Sequence, residues 1–275
     1  MTLSSDLVGP SAVENLRTVL DEESGDVIAV RFGEELTAGL IEILAESEEP
    51  PTVRLLVDES VLRWLRDDFV LASTAMELVE AGTLDLRSSE QREGTVVMTG
   101  ETVISLLRSD GEQSAALATD HEEFVAEVRD RWNGRWEDGE TFDLRTPAYS
   151  RVLETIAEEF DSTMESDFEM ALDPLTEQDD DELDEVAVAL LVAAKHEQLL
   201  YDISHWGEDV GVASKATFSR KKTQLEEQGL LETEKVPIDV GRPRLRLLLA
   251  DERLREADAD ELASVVHEML STAPA

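Results

Sequence analysis

Apolar positions along the chain change period several times, and each change marks an element. Val27-Ile28-Ala29-Val30-Arg31-Phe32 is a short, nearly continuous apolar run of the kind a buried strand shows. Residues 34–46 then place Leu36, Leu40, Ile43 and Leu44 on one helical face. After Pro50-Pro51, residues 53–57 predict a second strand and residues 59–65 and 69–80 two helical stretches, the latter ended by Gly82. Residues 83–87, 95–99, 102–107 and 115–119 read as four short strands. Gly100-Glu101 and Asp110-Gly111 supply hairpin chemistry between them. A helix over 122–136 and a stop at Gly139 complete a layered α/β unit with a mixed sheet.

Residues 147–182 change to an acidic, helical pattern. Pro147 can start a helix to about Phe160 with Val152, Ile156 and Phe160 four apart, a second short helix covers 165–172, and Asp179-Asp180-Asp181-Glu182 reads as an exposed linker. From Leu183 the order is diagnostic. A helix over 183–200 (stripe Val186, Leu190, Ala193, Ala194) precedes a helix over 201–208 with Ile203 and Trp206 apolar. Gly207, Gly211 and Val212 make a tight turn, Ser214 caps a helix over 215–228, and Gly229 ends it. Strands at 230–236 and 245–249 flank an eight-residue connection containing Gly241-Arg242-Pro243-Arg244, and an amphipathic helix over 258–270 closes the chain. The expected fold class is therefore α/β (α+β). Residues 1–146 form a mixed-sheet sensor or dimerisation domain, 147–182 an acidic helical connector, and 183–275 a winged helix-turn-helix with a C-terminal helix.

Composition sharpens this outline. Of 275 residues 64 are Asp or Glu and 24 are Lys or Arg, a net charge of −40, while 41% hydrophobic content leaves ample core. The acids are dispersed rather than gathered in a tail, Lys numbers only five, and Cys is absent. This is the composition of a protein adapted to molar salt, where repulsion between carboxylates is screened within a few Å; an acidic surface that binds cations or basic partners is the rival reading. No Cys means no disulfide framework, thiolate metal site or Cys nucleophile. No apolar run suits a bilayer span or a signal peptide, so a cytoplasmic location is expected.

The charge is interrupted in one place. Residues 183–250 hold 9 basic and 11 acidic residues, and all five Lys of the chain lie there: Lys195, Lys215, Lys221, Lys222 and Lys235. From Ser214 to Gln224 the third helix carries four cations and no acid. Such a helix lies in the major groove with its early residues toward base edges. With Phe218 and Leu225 marking the buried side, Lys215, Thr217, Ser219, Arg220 and Lys221 are the candidates to face DNA. Arg220 is suited to a bidentate contact with guanine, and Thr217 and Ser219 to phosphate or base. Lys222 falls where an apolar residue is expected, and its stem is read as passing the core to a phosphate. Arg242 and Arg244 at the wing tip suit a narrow minor groove or the phosphates, Arg246 lying deeper in the strand. The partner implied is double-stranded promoter DNA. A winged helix that contacts protein instead, in a metabolite-binding or interaction module, is the alternative. Since phosphate attraction weakens steeply with salt, the salt slope of binding is expected to be shallower than the basic count suggests.

Val212-Ala213-Ser214-Lys215-Ala216-Thr217-Phe218-Ser219-Arg220, the Leu225-Glu226-Glu227-Gln228-Gly229-Leu230 ending and the Gly241-Arg242-Pro243-Arg244 wing resemble those of archaeal transcription regulators. With the acidic N-terminal domain included, the chain resembles the haloarchaeal TrmB suppressor family (TbsP). That likeness implies a regulator of central carbon metabolism and gluconeogenesis in a halophilic archaeon. Lys222 departs from the apolar residue usual at its position. Residues 94–99, 102–107, 110–111 and 115–119, with the helix ending in Trp132 and Trp136, are also similar to phospholipase-D-like sensor domains of archaeal regulators. The catalytic His-x-Lys is missing: none of His121, His196, His205 and His267 is followed two residues later by Lys.

An enzyme is not expected, since the sequence has neither a phosphate-cradling glycine loop nor a nucleophile elbow. Gly33-Glu34-Glu35 reads as a turn, because two carboxylates oppose an anion there. His196 and His205 sit in separate helices and are read as packing or solvent-facing, and Trp132 and Trp136 as core; no metal or cofactor is expected. The N-terminal domain is a candidate sensor for a sugar phosphate or a partner regulator. A homodimer is expected through the helices at 147–160 and 258–270, whose apolar stripes flank the winged helix.

Overall fold

The computed structural model describes residues 6–21, 25–89, 94–108, 113–173, 183–237 and 243–272. The chain forms two compact units, Met1–Arg145 and Thr146–Ala275.

In the first unit, eight strands form one mixed sheet in the order β1-β7-β6-β5-β2-β3-β4-β8. These are β1 (Asp6–Gly9), β2 (Asp26–Val30), β3 (Thr52–Val57), β4 (Leu84–Ser88), β5 (Val96–Met98), β6 (Val103–Arg108), β7 (Ser114–Thr119) and β8 (Glu140–Thr141). β2, β3 and β4 run parallel; β5, β6, β7 and β1 follow antiparallel on one side and β8 on the other. The continuous apolar run in β2 has its reason here, because Val27–Val30 lie at the sheet centre and are buried on both faces. One face packs under α1 (Ala12–Asp21), α2 (Glu34–Glu46), α3 (Glu59–Asp67) and α4 (Phe69–Glu80). The other packs under α5 (Glu122–Asp138), whose Val125, Trp132 and Trp136 meet Ile28, Val30, Leu56, Met98 and Val103. Trp132 and Trp136 are thus core residues. Trp136 also carries the Arg87 guanidinium 4.7 Å from its ring centroid, and its carbonyl accepts a hydrogen bond from the same side chain at 2.8 Å. The mixed sheet between helical layers agrees with the α/β expectation. The expected hairpin at Asp110-Gly111 lies outside the described residues.

The second unit begins with α6 (Tyr149–Glu159) and α7 (Ser162–Leu172), which pack on each other. Residues 147–182 were expected as a separate connector, but Val152, Ile156, Met164 and Phe168 are fully buried within this unit. Phe168 meets Trp206 edge-on, and the Trp206 indole donates to Thr155 at 3.0 Å. The stripes that the sequence offered for dimerisation are therefore consumed inside the chain. The same holds for Leu262 and Val266 of α12 (Leu262–Thr272), which follows α11 (Glu252–Glu256) and a single 3-10 turn, Ala259–Glu261. The linker Asp179–Glu182 lies outside the described residues.

The winged helix comprises α8 (Glu185–Lys195), α9 (Leu200–Val210), α10 (Lys215–Glu227), β9 (Leu231–Val236) and β10 (Arg244–Leu249). α8 is buried all round rather than along one stripe, because α7, α9, α10 and β10 surround it. β9 and β10 pair antiparallel from Leu231↔Leu249 to Val236↔Arg244, and Leu199 adds a bridge to Arg246.

Candidate nucleic-acid interface

The turn that aims α10 is built on two glycines. Gly207 approaches Phe218 so closely that a Cβ there would lie 2.3 Å from the ring. Its carbonyl collects the amides of Gly211, Val212 and Ala213 at 3.2, 2.8 and 3.2 Å. Gly211 ends α9 in the left-handed region at φ 98°, where a side chain is strained. Ser214 then caps α10, its hydroxyl accepting from the Thr217 amide at 3.2 Å. Phe218 and Leu225 hold the helix to the core, both essentially inaccessible.

Opposite them, Ala216, Ser219, Arg220, Thr223, Gln224 and Glu227 form one solvent-facing surface with the spacing of a helix face. Sequence reasoning identified Ser219 and Arg220 but missed Ala216, Thr223 and Gln224. Steps of three and four from Ser219 and Arg220 lead to each of them, so the signal was present in the helical period. Gln224 adds an amide able to donate and accept at once, which suits an adenine edge.

The cations divide sharply. Arg220 makes no hydrogen bond or ion pair among the described residues, and neither does exposed Lys235. The others are engaged within the chain. Lys221 Nζ lies 2.8 Å from Asp184 with a side chain only 12% exposed, and so sits against the start of α8 rather than outward. Lys222 Nζ lies 2.7 Å from Glu226, which in turn accepts from Thr233 at 2.9 Å. The expected reach of Lys222 to a phosphate is not what the side chain does; a carboxylate one helical turn away takes its charge. Lys215 pairs with Glu208 at 2.8 Å. That hydrogen bond holds the ammonium above its ordinary pKa and the carboxyl below its own. Thr217 is half-buried, with its hydroxyl 3.0 Å from that of Ser214.

Arg244 lies at the start of β10, 4.3 Å over the ring of Tyr201 and 3.2 Å from Asp202. Arg246 is 3.6 Å from Glu234. Arg242 lies outside the described residues.

No group of three or more potential metal-ligating side chains occurs among the described residues. His196 is bonded to Asp167 at 2.9 Å and His205 faces Asp209 at 3.1 Å. No helix among the described residues is long and apolar enough to cross a membrane.

A trihelical core, a glycine-built turn, a serine-capped outer helix and a two-stranded wing define a winged helix-turn-helix protein. The family models agree. Residues 4–147 match the N-terminal domain of TbsP-like transcriptional regulators, and residues 148–267 match their C-terminal helix-turn-helix domain. The chain belongs to the TbsP-like family of transcriptional regulators. No curated protein sequence matches it. Among solved structures it is similar to TrmBL2, an archaeal chromatin protein described as showing a novel mode of DNA binding. That similarity has 14% identity and a TM-score of 0.38, over 52% of this chain and 56% of that one.

Proposed function

We propose that the chain is a sequence-specific regulator that binds double-stranded promoter DNA with α10 in the major groove. The observation that carries the reading is the solvent-facing surface of α10. It presents Arg220 without a carboxylate partner among the described residues, beside Ser219, Thr223 and Gln224, in a chain of net charge −40. Arg220 reads guanine through its guanidinium fork, and Ser219, Thr217 and Lys215 hold the flanking backbone. Lys215 does so by exchanging Glu208 for a phosphate. Arg244, presented on Tyr201, and Arg242 lie along the adjacent groove. Lys221 and Lys222 are assigned to positioning α10, since their charges are met inside the chain.

The wider setting rests on the family and the composition. The acidic surface supports a cytoplasmic protein of a halophilic archaeon, and the family likeness supports targets in central carbon metabolism, gluconeogenesis among them. The N-terminal unit serves as the sensor or dimerisation domain, with a sugar phosphate or a partner regulator as effector. Its mixed sheet is compatible with a phospholipase-D-like ancestry without the catalytic histidine-lysine pair.

The test is selection of sequences from a random duplex library by the full-length protein in molar KCl, followed by titration of the selected site. Arg220→Ala is expected to weaken binding to that site by roughly 5- to 150-fold while leaving random duplex nearly unchanged. Failure to enrich any sequence, or unaltered binding by Arg220→Ala, overturns the proposal.

A further inference from the structure

α5 covers only part of its side of the sheet. Its buried residues meet β2, β3, β5 and the first residue of β6, and among the described residues no helix packs over most of β6 or over β7 and β1 on that side. Strand parity identifies the outward positions. Ile104, Leu106 and Ala116 enter the opposite core, so Ser105, Leu107, Ala115, Leu117 and Thr119 face away from it, as does Val8, which is paired with Ala115. Leu107 is 48% exposed, Leu117 45% and Val8 70%; Phe124 at the start of α5 is 48% exposed. Six large apolar side chains are exposed among the described residues, and four of them are these. A groove of about 300 Å³ between α5 and β6–β7, floored by Val103 and Leu117 and walled by Val128, Trp132 and the exposed Arg131, gives the patch relief. Contiguous exposed apolar surface of this kind marks an interaction site.

We propose that this face is covered by the same face of a second copy of the chain. The charge distribution selects that occupant. With 64 carboxylates on each chain, two copies approach most readily where neither presents a carboxylate, and the groove is lined by none. The outward positions of β6 and β7 within the described residues, Val103 to Leu107 and Ala115 to Thr119 at alternate places, are all uncharged. A twofold contact sets a patch against itself, so an apolar surface without carboxylates, edged by Arg131, meets its equal. The helices expected to dimerise have no comparable surface: α6 and α12 carry none of the six exposed apolar side chains. Rising salt screens the remaining repulsion and strengthens apolar burial, so self-association tightens with KCl.

The full-length protein is examined by sedimentation equilibrium at 0.2 and 2 M KCl, alongside Leu107→Asp and Leu117→Asp. Twice the 30.5 kDa chain mass is expected in 2 M KCl, with weaker association at 0.2 M. Each substitution is expected to weaken the dimer at least about 100-fold, because two carboxylates per interface lose their water. At concentrations where all forms are monomeric, their melting temperatures should coincide. Since the chain has no Cys, Leu117→Cys places a single thiol on the patch. Oxidation should link two chains, whereas Met170→Cys, exposed on α7, should not. A wild-type monomer in 2 M KCl overturns the proposal, as does a dimer that survives both Asp substitutions. A monomer destabilised by Leu117→Asp overturns it as well, and assigns the cover to this chain's own residues.

Discussion

Gly207→Ala tests the closest approach in the helix-turn-helix. In an ordinary helix the change is favourable by about 1 kcal/mol, because Ala orders more cheaply than Gly. Here the added Cβ would lie 2.3 and 2.4 Å from Cε2 and Cζ of Phe218, more than 1 Å inside normal contact. The ring has no room to retreat, since Phe218 is completely buried. Relief requires either the ring to leave its rotamer or α9 and α10 to separate. Overpacking of this kind costs about 1–3 kcal/mol. A contact this short belongs to the upper part of that range, about 2–3 kcal/mol, so after the helix gain of about 1 kcal/mol we expect net destabilisation of about 1–2 kcal/mol, a drop of roughly 4–8 °C in the calorimetric transition of the second unit. Affinity for the selected duplex should fall further than stability, because the displaced element is the one that enters the groove. Phe218→Leu removes the offending ring atoms, so the double variant should be more stable than the sum of the single effects by about 1 kcal/mol. A Gly207→Ala protein as stable as wild type or more so, with additive behaviour in the double variant, would refute the close packing.

Three further outcomes follow from the charge pattern and the core. The logarithmic salt slope of DNA binding should be about −4 to −5 per bound chain, reflecting Lys215, Arg220, Lys235, Arg242 and Arg244, rather than about −8 for all nine cations of residues 183–250; fluorescence anisotropy across KCl concentrations measures it, and a slope near −8 shows that the pairs of Lys221, Lys222 and Arg246 within the chain also open on DNA. Asp184→Ala removes both the α8 cap, which accepts from the Ala187 amide at 2.8 Å, and the partner of Lys221, so it should cost about 2–3 kcal/mol. Asp184→Asn keeps the cap and should cost clearly less in denaturant titrations; equal losses would deny the cap a role, and an Asp184→Asn protein as stable as wild type would deny one to the ion pair. Burial, with Glu169 and Asp173 nearby, pushes the Tyr149 phenol up to about 12. Because the folded form keeps its proton longer than the unfolded chain, this group's stabilisation is present below pH 10 and fades as pH rises from about 10 to 12. Ultraviolet titration of Tyr201→Phe, which leaves Tyr149 as the single phenol, should show the late ionisation, and a midpoint at 10 would contradict it.

The elements legible in the sequence were those written in local terms. Val27–Val30 declared a central strand, Ser214 and Gly229 bounded the outer helix, and Gly207 with Gly211 announced its turn. What went unread was short or peripheral. β1 and β8 have four and two residues, too few to show a period. α1 did carry one, in Ala12, Leu16, Val19 and Leu20. The connector at 147–182 was misjudged because acidic residues on an outer helix face look the same whether the inner face is packed or not.

By itself the sequence determined where the winged helix lies, which side of α10 is buried, and that the basic residues of an acidic chain gather there. Those properties depend on periodicity, capping and composition, all read within a few residues. The tertiary structure alone decided which cations remain available. Asp184, Glu208 and Asp202 come from other elements and take the charges of Lys221, Lys215 and Arg244, leaving Arg220 outward beside Ser219, Thr223 and Gln224, with Glu227 two turns along the same face. An ion pair forms where folding brings two side chains within a few Å, and that proximity is set by how helices pack, not by their spacing along the chain.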